Sequence, residues 1–291
     1  MIILSNPERI ALLTDSTADL TPAMRAGKAI YIVPLKIHCN DGEYSDSVDI
    51  FAEDVYERLR RGELPRTSLP EGGVVSDVLD QIRADGYEKV IAIMLSSGLS
   101  GTYNLLRIQA EHRGDLEIRA YDSKSGALGI GIMVLQLWEE IQAGTDWETL
   151  VNQRVPHIID NTFPFFSVDT LEYLRRGGRI GRITAIAGTM LNIKPIITFA
   201  QDGQLQNVAK VRGRRQVQDK ILELLQEKFQ AGKRYNLGVE HGGAPEEMQV
   251  FTARMKETFP DYEHCWEGAM DATLSVYIGD HVIGGGILFI D

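Results

Sequence analysis

Four short stretches of this chain concentrate hydroxyl and carboxyl groups: Asp15-Ser16-Thr17, Thr67-Ser68, Ser96-Ser97-Gly98-Leu99-Ser100-Gly101-Thr102 and Asp122-Ser123-Lys124-Ser125. A Ser/Gly turn between a buried strand and a helix aims backbone N–H groups and hydroxyls at one spot, and that spot binds an anion without a lysine. The same residue types also make ordinary turns and helix caps. Ser97 and His281 are the one pair with the makings of a serine-dependent hydrolase or acyltransferase, but the G-x-S-x-G elbow is absent. There is no G-x-x-x-x-G-K-[ST] loop, no G-x-G-x-x-G after the first strand, and no metal-ligand spacing among six scattered histidines. The sequence therefore indicates neither a metal nor a cofactor. Arg175, Arg176, Arg179 and Arg182 gather around Gly177-Gly178, a cluster suited to a phosphate or an acidic partner, or to closing a helix end.

The elements that must position these groups follow from periodicity. Val90–Leu95 is continuously apolar and β-branched, which predicts a strand buried on both faces, with a helix over 103–111 capped by Ser100 or Thr102. Ile10–Thr14, Ile30–His38 (with Pro34 inside) and Leu116–Tyr121 predict further strands, and 49–61, 74–83, 127–143 and 147–159 predict helices. Pro65 and Pro70 bracket Thr67-Ser68 and stiffen it in an extended form. Strands alternate with helices through residue 160, so a mostly parallel sheet flanked by helices is expected, with the Ser/Thr/Asp turns at its carboxyl edge. From residue 161 the logic is partly that of hairpins: Phe163–Val168, a short helix capped by Asp169, an uncharged helix Ile183–Leu191, and Ile193–Phe199 turning at Asp202-Gly203 into Gln206–Val211. A glycine-rich turn at 279–286 precedes a last strand, Ile287–Ile290. The fold class is α/β, with two α/β domains: 1–160 carrying the head-group loops, and 161–291 with a mixed, partly antiparallel sheet that closes over them.

Composition narrows the partners. The 291 residues carry 30 Lys and Arg against 41 Asp and Glu, a net charge of −11, which argues against nucleic acid and against adsorption to anionic membrane. Only Cys39 and Cys265 are present, and two free thiols fit a reducing cytoplasm. No basic leader and no apolar run of ~18 residues is seen, so neither a signal peptide nor a spanning helix is expected. What the chain offers is neutral donors beside apolar surface, which suits an anionic head with a long apolar tail. Such a tail gains ~0.8 kcal/mol per buried methylene, ~11 kcal/mol for about fourteen before ordering costs. Phe163, Phe165, Phe166 and the Ile183–Leu191 helix are the candidates to line its cavity, or are plain core.

Five blocks in this order, Thr14-Asp15-Ser16-Thr17-Ala18-Asp19-Leu20, Thr67-Ser68-x-Pro70, Ser96-Ser97-Gly98-Leu99-Ser100-Gly101-Thr102-Tyr103, Asp169–Ile180 (DTLEYLRRGGRI) and Ile193-Lys194-Pro195-Ile196, resemble the DegV family over nearly the whole chain. The resemblance implies a bacterial cytoplasmic protein that buries a long-chain fatty acid such as palmitate between two α/β domains. It implies a carboxylate held by Thr67 and Ser97, with Ser96 the fallback, Ser68 and Gly98 in the same loops, and His281 near the head group. It also implies a non-catalytic role, in some members as the subunit that presents the acid to a separate fatty acid kinase, with Arg175, Arg176 and Arg179 contacting that kinase or the acyl phosphate. Two departures from the family pattern stand out. Leu69 and Glu71 flank Pro70 where glutamine and serine are usual, and Asp280-His281-Val282-Ile283-Gly284-Gly285 replaces a Thr-His-x-Gly-Pro-Gly turn.

Overall fold

A strand with no polar face has to lie inside a sheet covered on both sides, and Val90–Met94 is buried at every position. The computed structural model describes residues 6–183 and 192–291. In chain order the strands are β1 (Ile10–Asp15), β2 (Ile30–Val33), β3 (Lys36–Cys39), β4 (Gly42–Ser45), β5 (Arg66–Ser68), β6 (Lys89–Met94), β7 (Glu117–Asp122), β8 (Thr162–Ser167), β9 (Ile193–Phe199), β10 (Leu205–Arg212), β11 (Tyr235–Gly242), β12 (Cys265–Ala269) and β13 (Val282–Phe289). The helices are α1 (Pro22–Arg25), α2 (Ala52–Arg60), α3 (Gly72–Ala84), α4 (Thr102–Glu111), α5 (Leu128–Gln142), α6 (Trp147–Thr149), α7 (Val155–Asp160), α8 (Glu172–Arg176), α9 (Arg215–Lys228), α10 (Pro245–Thr258) and α11 (Ala272–Ile278). A π-helical turn, Leu150–Arg154, joins α6 to α7.

The first sheet runs β2-β1-β6-β7 and is parallel throughout. The second runs β10-β9-β8-β13-β11-β12, antiparallel except for the β11–β12 pair. This is the α/β class read from the sequence: a parallel sheet with helices, then a mixed sheet with helices. A third sheet, β4-β3-β5, was not foreseen. It arises because Pro34 breaks the expected strand Ile30–His38 in two: β2 stays with the parallel sheet and β3 leaves it. β3 then pairs antiparallel with β5, setting Ile37 opposite Thr67.

Other local readings change as well. The glycines of 284–286 do not form a turn but lie within β13. Asp169 does not cap the short helix: Leu171 occupies that position and Asp169 pairs with Lys194 at 2.8 Å. The cap of α4 is Gly101, with no side-chain bond. Of the expected helix Ile183–Leu191, residues 184–191 lie outside the described residues. Helix α11 follows β12 in sequence, yet it packs against α2 and, more lightly, β3 and β5. Asp46 anchors it by accepting the Ala272 amide at 3.0 Å. No helix among the described residues is long and apolar enough to cross a membrane.

Candidate functional site

A cavity of about 1000 Å³, mouth included, lies between the carboxyl edge of the first sheet and one face of the second. Leu95, Leu99 and Ile132 line it from the first half, and Phe165, Phe166 and Phe199 from the second. Phe163 does not line it; its ring packs edge-on against Phe289. The alternation of β13 explains the empty space. Ile283, Ile287 and Phe289 enter the core shared with α9 and α10, so Val282, Gly284 and Gly286 face the cavity. Two missing side chains on that face leave room, while β8 is packed close enough that a Cβ on Gly284 would sit 3.1 Å from Phe166 Cβ.

The polar end is built from three elements. Thr67 on β5 lines the cavity, and its hydroxyl shares a hydrogen bond of 2.6 Å with the Tyr277 hydroxyl on α11. Arg179 lies over the Tyr277 ring at 5.0 Å from its centroid. Its Nη1 donates to Gly177 O at 2.7 Å and its Nε to Leu99 O at 3.3 Å. Among the described residues no carboxylate pairs with it. Thr67, Tyr277 and Arg179 also line an outer depression together with Arg66 and Arg176, so the apolar cavity adjoins a cationic depression there. Ser100, adjoining Leu99, lines the wall as well.

The structure disperses most of the residues expected to join Thr67. Ser97 is exposed, and its hydroxyl donates to Asp122 at 2.5 Å and its amide to the same carboxylate at 3.0 Å, so it fixes the loop rather than facing the cavity. Ser96 is buried, donating to Gly203 O at 2.7 Å in the β9–β10 turn. Gly98 lies so close to that turn that a Cβ would sit 2.4 Å from Gly203 C. Ser96 and Gly98 thus fasten the two halves together. Ser68 points to the opposite side of β5 from Thr67, against His38 at 2.8 Å. His281 is exposed, in a left-handed backbone conformation with φ 57°. It does not line the cavity, and Ser97 bonds to Asp122 and not to it, so the hydrolase pair is not assembled. Asp280, which precedes His281 in the altered turn, lies 3.5 Å from Arg60. Arg175 is exposed on α8, and Arg176 pairs with Glu172.

Carboxyl groups that were not singled out by spacing meet where the halves join. Asp19 accepts the Asp271 amide at 2.8 Å, Glu240 the Leu128 amide at 3.0 Å, and Asp46 the Ser16 hydroxyl at 2.8 Å. Burial, then the charges of Glu240 and Asp271, hold the Asp19 carboxyl well above the usual carboxylate range. Burial and the neighbouring Asp46 do the same to Asp271. Burial raises Glu240 too, against the opposing hydrogen bonds of Asp19 and Leu128. The signal for Glu240 was available: it is the one charged residue in the otherwise buried run Tyr235–Glu240. Nothing in the local sequence marks Tyr277, because its role depends on α11 crossing to the other half.

The model described as the DegV family of uncharacterised proteins matches residues 9–289. The chain belongs to the DegV family. A DegV domain-containing protein of Clostridium perfringens is 35% identical over 280 residues, spanning 96% of this chain and 98% of the relative. Among solved structures, a DegV family protein from Thermus thermophilus described by its fatty acid binding superposes with a TM-score of 0.89 at 27% identity, over 97% of this chain and 99% of that one. DegV, a fatty acid binding protein from Bacillus subtilis, gives 0.86 at 27% identity, over the same shares of each chain. The α/β architecture deduced for this DegV chain is therefore that of its structural relatives.

Proposed function

We propose that this DegV chain binds one long-chain fatty acid, with the hydrocarbon in the cavity between the sheets and the carboxylate at Thr67, Tyr277 and Arg179. The observation that carries the reading is the pairing of an apolar cavity between the sheets with a cationic, hydroxyl-bearing end. Two relatives at 27% identity described as fatty acid binding support it. Arg179 supplies the charge and Thr67 a hydroxyl donor, and hydrogen bonds to a charged acceptor contribute ~1.5–3 kcal/mol each. The chain length is set by the cavity, the orientation by the mouth. The head-group residues read from the sequence are thereby revised: Thr67 stays, and Arg179 and Tyr277 take the places of Ser97 and His281. The test is mass spectrometry of acid released from natively purified protein. A stoichiometric long-chain acid is expected, and its repeated absence, with no uptake by the delipidated protein, overturns the reading.

The protein acts as a carrier and not as the catalyst. Arg66 and Arg176 at the rim, and exposed Arg175 nearby, support a role in presenting the carboxylate to a separate, cytoplasmic fatty acid kinase. Acyl phosphate formed only when kinase, ATP and the loaded protein are combined would be the expected result. Equal turnover of free acid would refute presentation.

A further inference from the structure

Thr67, Tyr277 and Arg179 line both the apolar cavity and the outer depression, so they form the wall between the two. Only Thr67 is held within a strand. Tyr277 stands in the last turn of α11, and Arg179 lies just past the end of α8. Helix ends fray, so helix geometry alone does not fix either side chain.

Each of these helices stops at a glycine, and a tyrosine of one lies over the glycine of the other. Gly177 follows α8 with φ −76° and ψ −8°, a helical conformation open to any residue. Backbone freedom therefore does not explain a glycine here. Space does: a Cβ on Gly177 would run into Cδ1 and Cε1 of the Tyr277 ring. Gly178 is the contrast, with φ 72° and nothing within 4 Å of where its Cβ would be; it is glycine for the backbone alone. Reciprocally, a Cβ on Gly279, which ends α11, would sit 2.7 Å from Cε2 of the Tyr173 ring on α8. The Gly177 carbonyl has a further task, accepting a hydrogen bond from Arg179 Nη1 at 2.7 Å. Arg179 in turn lies over the Tyr277 ring, whose hydroxyl reaches Thr67 at 2.6 Å. One glycine thus touches both the hydroxyl-bearing ring and the cation of the head-group end.

We infer that Gly177 positions the head-group pair, receiving the Tyr277 ring against its bare α-carbon and holding Arg179 by its carbonyl, with Tyr173 over Gly279 steadying the end of α11. Its effect is preference for a carboxylate over an uncharged head on the same hydrocarbon chain. This rests on the fatty-acid reading above. Hydrogen bonds to an ionised acceptor weaken steeply as the donors leave their line, whereas burial of hydrocarbon has no direction. Displacing the Tyr277 ring and the guanidinium over it costs the acid its advantage and leaves most tail contacts as they were.

The experiment is displacement titration of delipidated protein with hexadecanoic acid and hexadecan-1-ol, with a thermal melt of each variant. The wild type is expected to bind the acid about tenfold or more tightly than the alcohol. Gly177→Ala should bring that ratio toward one by weakening the acid, whereas a general loosening of the fold would weaken both ligands alike. Gly178→Asn lies in the same turn and tolerates a left-handed backbone, so it should keep the wild-type ratio; an equal fall there would assign the effect to the turn as a whole and overturn the inference. Tyr173→Phe retains the ring over Gly279 and should keep the ratio, while Tyr173→Leu should lower it, and this pair decides the matter where Gly177→Ala does not fold. A wild-type ratio in folded Gly177→Ala, or in Tyr173→Leu where the alanine variant is unfolded, refutes the positioning role while the fatty-acid reading stands. Equal affinity for acid and alcohol in the wild type refutes it too, since there is then no preference to set. If neither ligand binds to the folded wild type, the fatty-acid reading falls and takes the positioning role with it.

Discussion

Replacing Gly286 by leucine should shorten the acid that the cavity accepts. Gly286 faces the cavity from β13, and a Cβ there would meet the backbone of β8, Phe163 O and Pro164 Cα, at 3.3 Å, so that backbone must give by a few tenths of an ångström. The rest of the side chain must project into space that the hydrocarbon otherwise fills. A leucine side chain has the bulk of about four methylenes. At ~0.8 kcal/mol each the displaced contact is worth about 3 kcal/mol, on the order of two hundredfold in Kd for a chain that spans the cavity. A chain too short to reach Gly286 loses nothing. The assay is titration of delipidated protein with saturated acids of increasing length, alongside a thermal melt to show that the variant is folded. Wild-type affinity should rise steadily with length, and the variant should reach a plateau. Gly286→Ala, which adds one methyl, should give a small loss in the same direction. Undiminished binding of the longest acid by folded Gly286→Leu would show that the hydrocarbon does not run along this wall.

The head group, the junction and its carboxyls give further expectations. Thr67→Val should weaken fatty-acid binding by ~1.5–3 kcal/mol, about tenfold to a hundredfold, whereas Ser97→Ala should leave it unchanged; equal losses in a displacement titration would restore Ser97 to the site. Gly98→Ala forces a methyl to 2.4 Å from Gly203 C and should cost ~1–3 kcal/mol of overpacking, read as a lowered Tm; an unchanged Tm would mean that the two halves are not clamped there. Asp19, Asp271 and Glu240 have folded-state pKa values raised by burial and by one another. The folded state then holds more protons than the unfolded one above the ordinary carboxylate range, so stability should fall as pH rises through and beyond that range. Asp19→Asn should flatten that slope, and a Tm flat with pH in the wild type would refute shared protons at the junction.

Periodicity carried most of the first half. The buried run at β6, the Asp15 turn and the helix over 128–142 were legible because each is specified by neighbours in sequence. The misreadings share a cause. Gly284 and Gly286 looked like a turn because glycine marks turns, but here they clear space beside Phe166, a contact about 120 residues away in the chain. Ser97 and Thr67 looked alike as hydroxyls after strands. Only tertiary structure shows that Asp122 claims one while Tyr277 meets the other. The one rigid cue that transferred directly was the pair of prolines around Thr67-Ser68, which hold β5 extended so that its two hydroxyls point to opposite sides.

Helix α11 also bears on how the molecule assembles. Its anchor, Asp46, is made early during synthesis, and the amides it receives at Ala272 and Thr273 come 226 and 227 positions later. The small sheet and α2 thus emerge from the ribosome without their packing partner, and closing that loop bears an entropic cost that nearer contacts do not. The earlier half is left waiting, apolar surface uncovered, until Ala272 and Thr273 have been made. Chaperone dependence and protease sensitivity of nascent chains should therefore persist late and end abruptly.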